Sequence, residues 1–331
     1  MSEFKLSVLD QSISRGPDHA RQAFSETIEM AQLCESLGYE RFWVSEHHAF
    51  GVIAGSAPEV LIASLGAQTH SIRLGAGGIM LPHYSPYKVA ETFAVLNNLY
   101  PDRIDLGIGR APGTDMATAM ALATDGKPKF ERFPVLVDAL LEYCRNDQSQ
   151  PRVSPPPGDL PIWMLGSSPD SAVLAAKKGL PYNLAAFINP QADPKYFQMY
   201  KERFEQNDRD AKPHATLTIG VFCAEDEEQA KALRLNFDIN FYLYVTGQHR
   251  GYFLTPQEAQ VFPMTLELEQ FIRMRDQLRA VGTPEQVREK IEYLADTFNA
   301  DEIMMVSNTY YVEDRKRCFQ LVKEAFAGIP A

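Results

Sequence analysis

Four short segments of this chain hold residue types that could do chemistry. Glu46-His47-His48 follows the apolar run Arg41-Phe42-Trp43-Val44-Ser45. A histidine at such a tip is a candidate proton-transfer group, because imidazole titrates near neutrality. The bland alternative for His47 is a ring bonded to a loop carbonyl, and for His48 the structural reading is preferred. Adjacent side chains on an extended segment point to opposite sides, so the two rings do not grip one ion. The chain has no HExxH or HxH, and no metal site is expected. Arg110 directly follows Gly107-Ile108-Gly109. Its guanidinium could hold a phosphate or carboxylate by two points, or merely form a surface ion pair. Ser167-Ser168-Pro169-Asp170 has the chemistry of a helix start, where free N–H groups attract an anion; Ser168 could equally be only a cap. Gly75-Ala76-Gly77-Gly78 suggests a dinucleotide fingerprint, but GxGxxG would need glycine where Met80 stands. Glycines inside a strand mark either a bulge or a bed for a flat ligand. No GxSxG occurs, so a hydrolase elbow is absent.

The elements that position these residues alternate. Strand-like runs cover 4–9, 41–45, 72–80, 104–109, 161–165, 182–187, 216–223 and 302–307, with helical patterns between them. Asp18 is placed to cap the first helix, and Ser85-Pro86 reads as a hydroxyl cap followed by proline at the first turn. Thr283-Pro284-Glu285-Gln286 fits a capping box. A long loop is expected between Arg110 and a helix over 133–143. The proline-rich stretch 147–160 reads as a surface loop rather than a domain linker. Eight strands alternating with helices predict one (β/α)₈ TIM barrel over residues 1–331, with its site on the C-terminal rim. Residues 245–282 break the rhythm as an insertion before the last strand.

Charge and cysteines narrow the function. The chain of 331 residues has 32 Lys and Arg against 43 Asp and Glu, a net charge of −11. That argues against nucleic acid as a partner, since phosphate neutralisation needs clustered cations. Four scattered cysteines form no CxxC pair, which fits a reduced, cytoplasmic setting. No secretion signal or membrane span is expected.

The segments Trp43-Val44-Ser45-Glu46-His47-His48, Gly75-Ala76-Gly77-Gly78-Ile79-Met80-Leu81-Pro82 and Asp102-Arg103-Ile104-Asp105-Leu106-Gly107-Ile108-Gly109-Arg110, with Gly166-Ser167-Ser168 and Gly179-Leu180-Pro181, together resemble the bacterial luciferase-like flavin monooxygenase family. The resemblance implies a barrel that binds FMN, supplied in reduced form by a separate NAD(P)H:flavin reductase, and that acts with O₂ on a small organic substrate. It assigns flavin chemistry to His47, a cis peptide beneath the flavin ring to Gly77-Gly78, and the flavin phosphate to Arg110, Ser167 and Ser168. Arg132 matches a second phosphate-binding arginine only loosely. The resemblance also implies a homodimer, and it makes 245–282 a mobile lid. Gly109 and Ser167 stand where light-emitting members have cysteine and glutamate, which argues against light emission. Two rival readings share the barrel: an F420-dependent hydride-transfer enzyme, and a flavin-binding protein without turnover.

Overall fold

The computed structural model describes residues 4–123, 125–145, 151–206 and 212–327. Nine strands occur there: β1 (Lys5–Asp10), β2 (Arg41–Val44), β3 (Arg73–Met80), β4 (Ile104–Gly109), β5 (Ile162–Gly166), β6 (Tyr182–Ala185), β7 (Ala215–Cys223), β8 (Arg279–Gly282) and β9 (Glu302–Val306). All pairings are parallel. Strands β1 to β7 pair in sequence, β9 joins β7 to β1, and so eight strands close a barrel. The expected fold is therefore present. The ninth strand, β8, was not foreseen. It pairs with Gly220–Cys223 at the end of β7, beyond the residues of β7 that pair with β6.

Helices α1 (Ala20–Ser36), α2 (Pro58–Gly66), α3 (Pro86–Leu99), α4 (Met116–Leu122), α5 (Phe133–Arg145), α6 (Pro169–Lys177), α7 (Lys195–Glu202), α8 (Glu227–Val245), α9 (Pro256–Gln260), α10 (Leu266–Arg275), α11 (Pro284–Phe298) and α12 (Val312–Phe326) cover the outside. The main core lies between helices and sheet, where strand residues such as Phe42, Leu74, Leu106 and Leu217 meet Met30, Phe93, Leu140 and Ile291. A separate apolar group of Leu9, Trp43, Trp163, Met304 and Val306 fills the barrel interior. Strand side chains alternate in direction, which sorts neighbouring residues between these two layers.

Several helix-end expectations change. A short 3₁₀ turn, Pro17–His19, precedes α1, so Asp18 lies inside that turn and does not cap the helix. Ser85 is the N-cap of α3, but its hydroxyl makes no cap hydrogen bond; proline at the first turn does the work of fixing φ. The loop expected after Arg110 contains α4, capped by Asp115, whose carboxylate accepts from Thr118 N at 3.0 Å. The capping box at Thr283 is present, with Gln286 Oε1 accepting from Thr283 N at 2.9 Å. Part of the proline-rich stretch, 147–150, lies outside the described residues. The rest folds back on α3, where Asn97 and Asn98 each donate to a proline carbonyl at 2.9 Å.

The amino-terminal end of the barrel is closed by charge. Arg41 bridges Asp105 at 2.7 Å and Glu302 at 2.8 Å, Arg73 reaches Asp105 at 2.6 Å, and Trp43 Nε1 donates to Asp105 at 3.1 Å. Burial raises both carboxyls most, but the Arg41 charge, joined by Arg73 at Asp105, by His214 at Glu302 and by hydrogen bonds at each, together outweighs it: Asp105 is held below its usual range and Glu302 falls to about 2. Among the described residues, no helix is long and apolar enough to cross a membrane.

Candidate active site

A cavity of about 580 Å³ opens at the carboxy-terminal rim, within the size range of small-molecule sites. Its base is apolar: Leu9, Trp43, Leu165, Phe187 and Met304. Its charged groups gather on the outer wall, set among Phe130, Phe133, Val173 and Leu174. There Gly109 ends β4 and Arg110 follows it, Ser167 and Ser168 lead into α6, and Glu131, Asp170 and Lys177 face them from the helix side. The structure thus brings Gly77, Gly78, Arg110, Ser167 and Ser168 onto one wall, although they are scattered over 92 positions of sequence (168 minus 77 plus one).

Gly77 and Gly78 lie where β3 breaks register with β4, between Ala76 and Ile79, and their peptide is cis. Both sequence readings of this pair meet here. The break is a bulge, and both residues also line the cavity. A Cβ on Gly77 would come 2.7 Å from Leu9 Cδ1, and one on Gly78 would come 2.8 Å from the Gly107 carbonyl oxygen. Glycine is therefore required at 78, where the clash is with backbone, independently of any ligand, whereas at 77 the end of the Leu9 side chain could give way.

Arg110 is exposed and makes no ion pair among the described residues. Its fork is free for an anion. Ser168 is the N-cap of α6 in extended conformation, with φ −134° and ψ 160°. Ser171 turns its hydroxyl back and donates to the Ser168 carbonyl at 2.6 Å. The Ser167 carbonyl accepts from Asn189 Nδ2 at 2.8 Å, which ties this loop to the β6 tip. Arg132 is exposed in the 3₁₀ turn Phe130–Arg132 and is not part of the cavity wall; its neighbours Phe130, Glu131 and Phe133 are.

His47 sits on the β2 tip beside the cavity rather than in its wall. Its Nε2 lies 3.1 Å from Gln11 Nε2, and its ring packs 5.1 Å from Phe50. Asn308 donates to Gln11 Oε1 at 2.6 Å, which turns the Gln11 NH₂ toward the imidazole. His47 Nε2 is then an acceptor and the ring is neutral. Burial lowers its pKa to about 4, against smaller upward pulls from a Gly113 backbone hydrogen bond and the Glu46 charge. His48 has the structural place expected of it: its Nε2 is 2.7 Å from Glu46 Oε1.

Sequence reasoning missed three features. Glu46 is fully buried and organises the rim, accepting from Tyr84 OH at 2.7 Å and from Met80 N at 2.9 Å. Its place in Glu-His-His was visible, but its partners are 34 and 38 residues away. Lys177 adds a second cation to the outer wall. Asn183 and Thr218 put polar groups near the base; their inward alternation within apolar strands was the available signal.

The sequence profile of the luciferase-like monooxygenases matches residues 4–300. The protein YwcH of Bacillus subtilis is 40% identical over 97% of this chain and 99% of its own length. A luciferase-like monooxygenase of Escherichia coli K12 is 35% identical over 98% of each chain. The crystal structure of apo-MsnO8 superposes with a TM-score of 0.91 at 36% identity, covering 99% of this chain and 100% of that one. More distant likenesses show the fold alone: the oxygenating constituent of 3,6-diketocamphane monooxygenase in complex with FMN, from Pseudomonas putida, at TM-score 0.72 and 20% identity, and an F420-dependent secondary alcohol dehydrogenase at 0.66 and 16%.

Proposed function

Because the chain belongs to the luciferase-like monooxygenase family, we propose that it is the oxygenase of a two-component, FMN-dependent monooxygenase acting on a small organic molecule. The observation that carries this is that the charged residues of the rim cavity, an unpaired arginine among them, gather on its outer wall, away from a mostly apolar base. Those two halves suit the two halves of FMN. Gly77, Gly78, Leu9 and Trp43 would bed the flavin ring, and Arg110 with Ser167, Ser168 and the α6 amino terminus would hold the phosphate. Bound reduced FMN supplies the electrons with which O₂ is split between the substrate and water. The protein's own work is binding, orientation and dryness. Arg110 contributes a charge-assisted contact that a neutral residue cannot replace. His47 holds a neutral imidazole at the rim across the neutral range, fixed by the Gln11 amide, and in this reading it tunes protons at the flavin. The chain has no nicotinamide fingerprint, which is why a separate reductase is its partner in this reading.

The segment 245–282 is the cover of this site in the same reading. Arg275, at the end of α10, donates to the carbonyl of Phe187, a cavity residue, at 2.9 Å. At the border of the segment, Tyr244 near the end of α8 stacks on Phe50 with centroids 3.7 Å apart. Closing over the rim would exclude water from the reacting flavin.

Titration of the protein with FMN and with F420 tests the cofactor. Tight binding of F420 with none of FMN would replace the monooxygenase by a hydride-transfer enzyme. Mixing the protein with reduced FMN and air tests the chemistry. An oxidation trace identical to that of free flavin would leave a flavin carrier without turnover.

A further inference from the structure

One polar pair near the base of the cavity has no role yet in the proposed reaction. Asn183 on β6 and Thr218 on β7 point into the barrel, because Tyr182, Leu184, Leu217 and Ile219 on either side of them belong to the core beneath the helices. Both line the cavity, and both are buried, at 2% and 1% exposure. Thr218 Oγ1 donates to Asn183 Oδ1 at 2.6 Å. That bond takes one lone pair of the amide oxygen and fixes which way the side chain faces. The amide nitrogen has two N–H groups to place. Its partner among the described residues is the Met304 thioether at 3.5 Å, and sulfur is a weak acceptor. A buried donor is therefore held in position without a strong acceptor, on the wall of a cavity whose base is otherwise apolar.

The charges of the lining lie elsewhere. Arg110, Glu131, Asp170 and Lys177 all belong to the outer, helix-side wall. A carboxylate or sulfonate brought to Asn183 would shed its water for one neutral donor and no cation, which is costly. A hydrocarbon would leave the donor unpaired, and sites built to hydrogen-bond reject analogues that cannot. We propose that Asn183 is a specificity-determining donor and that the substrate is a neutral, largely apolar molecule with a hydrogen-bond acceptor, such as a ketone, ester or ether oxygen. This rests on the monooxygenase reading only for what then happens to that molecule; the binding preference stands apart from it.

Calorimetric titrations of the full chain, with and without FMN, test it using cyclohexanone, its hydrocarbon isostere methylenecyclohexane, and cyclohexanecarboxylate. The ketone should bind about tenfold tighter than the isostere, with the carboxylate weakest. Asn183→Leu should erase the ketone preference and leave the FMN Kd unchanged. Thr218→Val, which frees the amide to turn, should weaken the preference and serves as the test if the first variant does not fold. The proposal is overturned if the carboxylate binds as well as the ketone, if no probe binds, if the preference survives in Asn183→Leu, or if that variant loses FMN. Failure of FMN to bind while the FMN-free protein still favours the ketone would sink the cofactor reading and leave this one standing.

Discussion

Arg110 and His47 divide the work of the rim differently, and single substitutions should separate them. Arg110→Ala removes a charge-assisted contact worth about 1.5–3 kcal/mol. FMN affinity measured by fluorescence titration should fall by one to two orders of magnitude, with turnover at saturating FMN much less affected. His47→Ala should do the reverse and lower turnover more than affinity. Equal losses of both properties in both variants would refute this division. The imidazole also gives a pH signature. Burial lowers its pKa in the folded chain to about 4, against about 6.5 in the unfolded chain. The unfolded state therefore binds more protons between those values, and stability declines as pH falls from about 6.5 toward 4. In His47→Gln that part of the decline should vanish from urea titrations run across this window.

The strands answer to a different set of forces, those at the closed end of the barrel. Glu302 is depressed to about 2, because Arg41 and hydrogen bonds from His214 and Arg41 outweigh its burial. Its stabilising contribution is complete above its unfolded value, near 4.3, and disappears as pH drops through about 2. Arg41→Met leaves Asp105 and Glu302 buried without their shared cation and should cost about 3–5 kcal/mol at neutral pH, measured by chemical denaturation. Gly107→Ala should be worse tolerated than most glycine changes. A Cβ there would press into the Ala76 carbonyl oxygen, and backbone in mid-sheet cannot step aside. The alternation of strand and helix was legible because apolar runs and helix starts are local signals. Asp18 shows the limit: its type suits a cap, but Pro17 starts a 3₁₀ turn and moves the helix past it. β8 was hidden for another reason. Arg279-Ala280-Val281-Gly282 is too short to read as a strand, and it becomes one by pairing with the end of β7. Among the site residues, Arg110 and Ser168 could be found because they directly follow strands. Asn183 was harder to find: its alternation within an apolar strand was a signal, but alternation alone does not say whether the residue faces a helix or a cavity.

At the scale of the whole molecule, the insertion and the barrel are joined by a second buried charge group. Asp238 on α8 takes two bonds from Arg279 at 2.8 and 2.9 Å and lies 3.7 Å from Arg275 and from Arg234. Burial lowers Arg275 to about 10, helped by the like charge of Arg279. A local core of Ile239, Leu243, Leu254, Leu268 and Ile272 packs the insertion on α8. Arg275→Met cuts its bond to the Phe187 carbonyl, and hydrogen exchange over α9 and α10 should quicken while the barrel strands stay protected. If protection is unchanged, the segment is held by its core alone. Finally, the chain has two tryptophans, and both are in one place. Trp43 and Trp163 meet edge to face, 5.3 Å apart, at 0% and 4% exposure. All indole emission of this protein thus originates at the apolar floor of the cavity or just beneath it. Buried as they are, the two rings should emit at the short-wavelength end of the indole range, and a yellow chromophore settling overhead should darken that emission in proportion to occupancy. The molecule carries its own optical gauge of whether that chamber is filled, with no label attached.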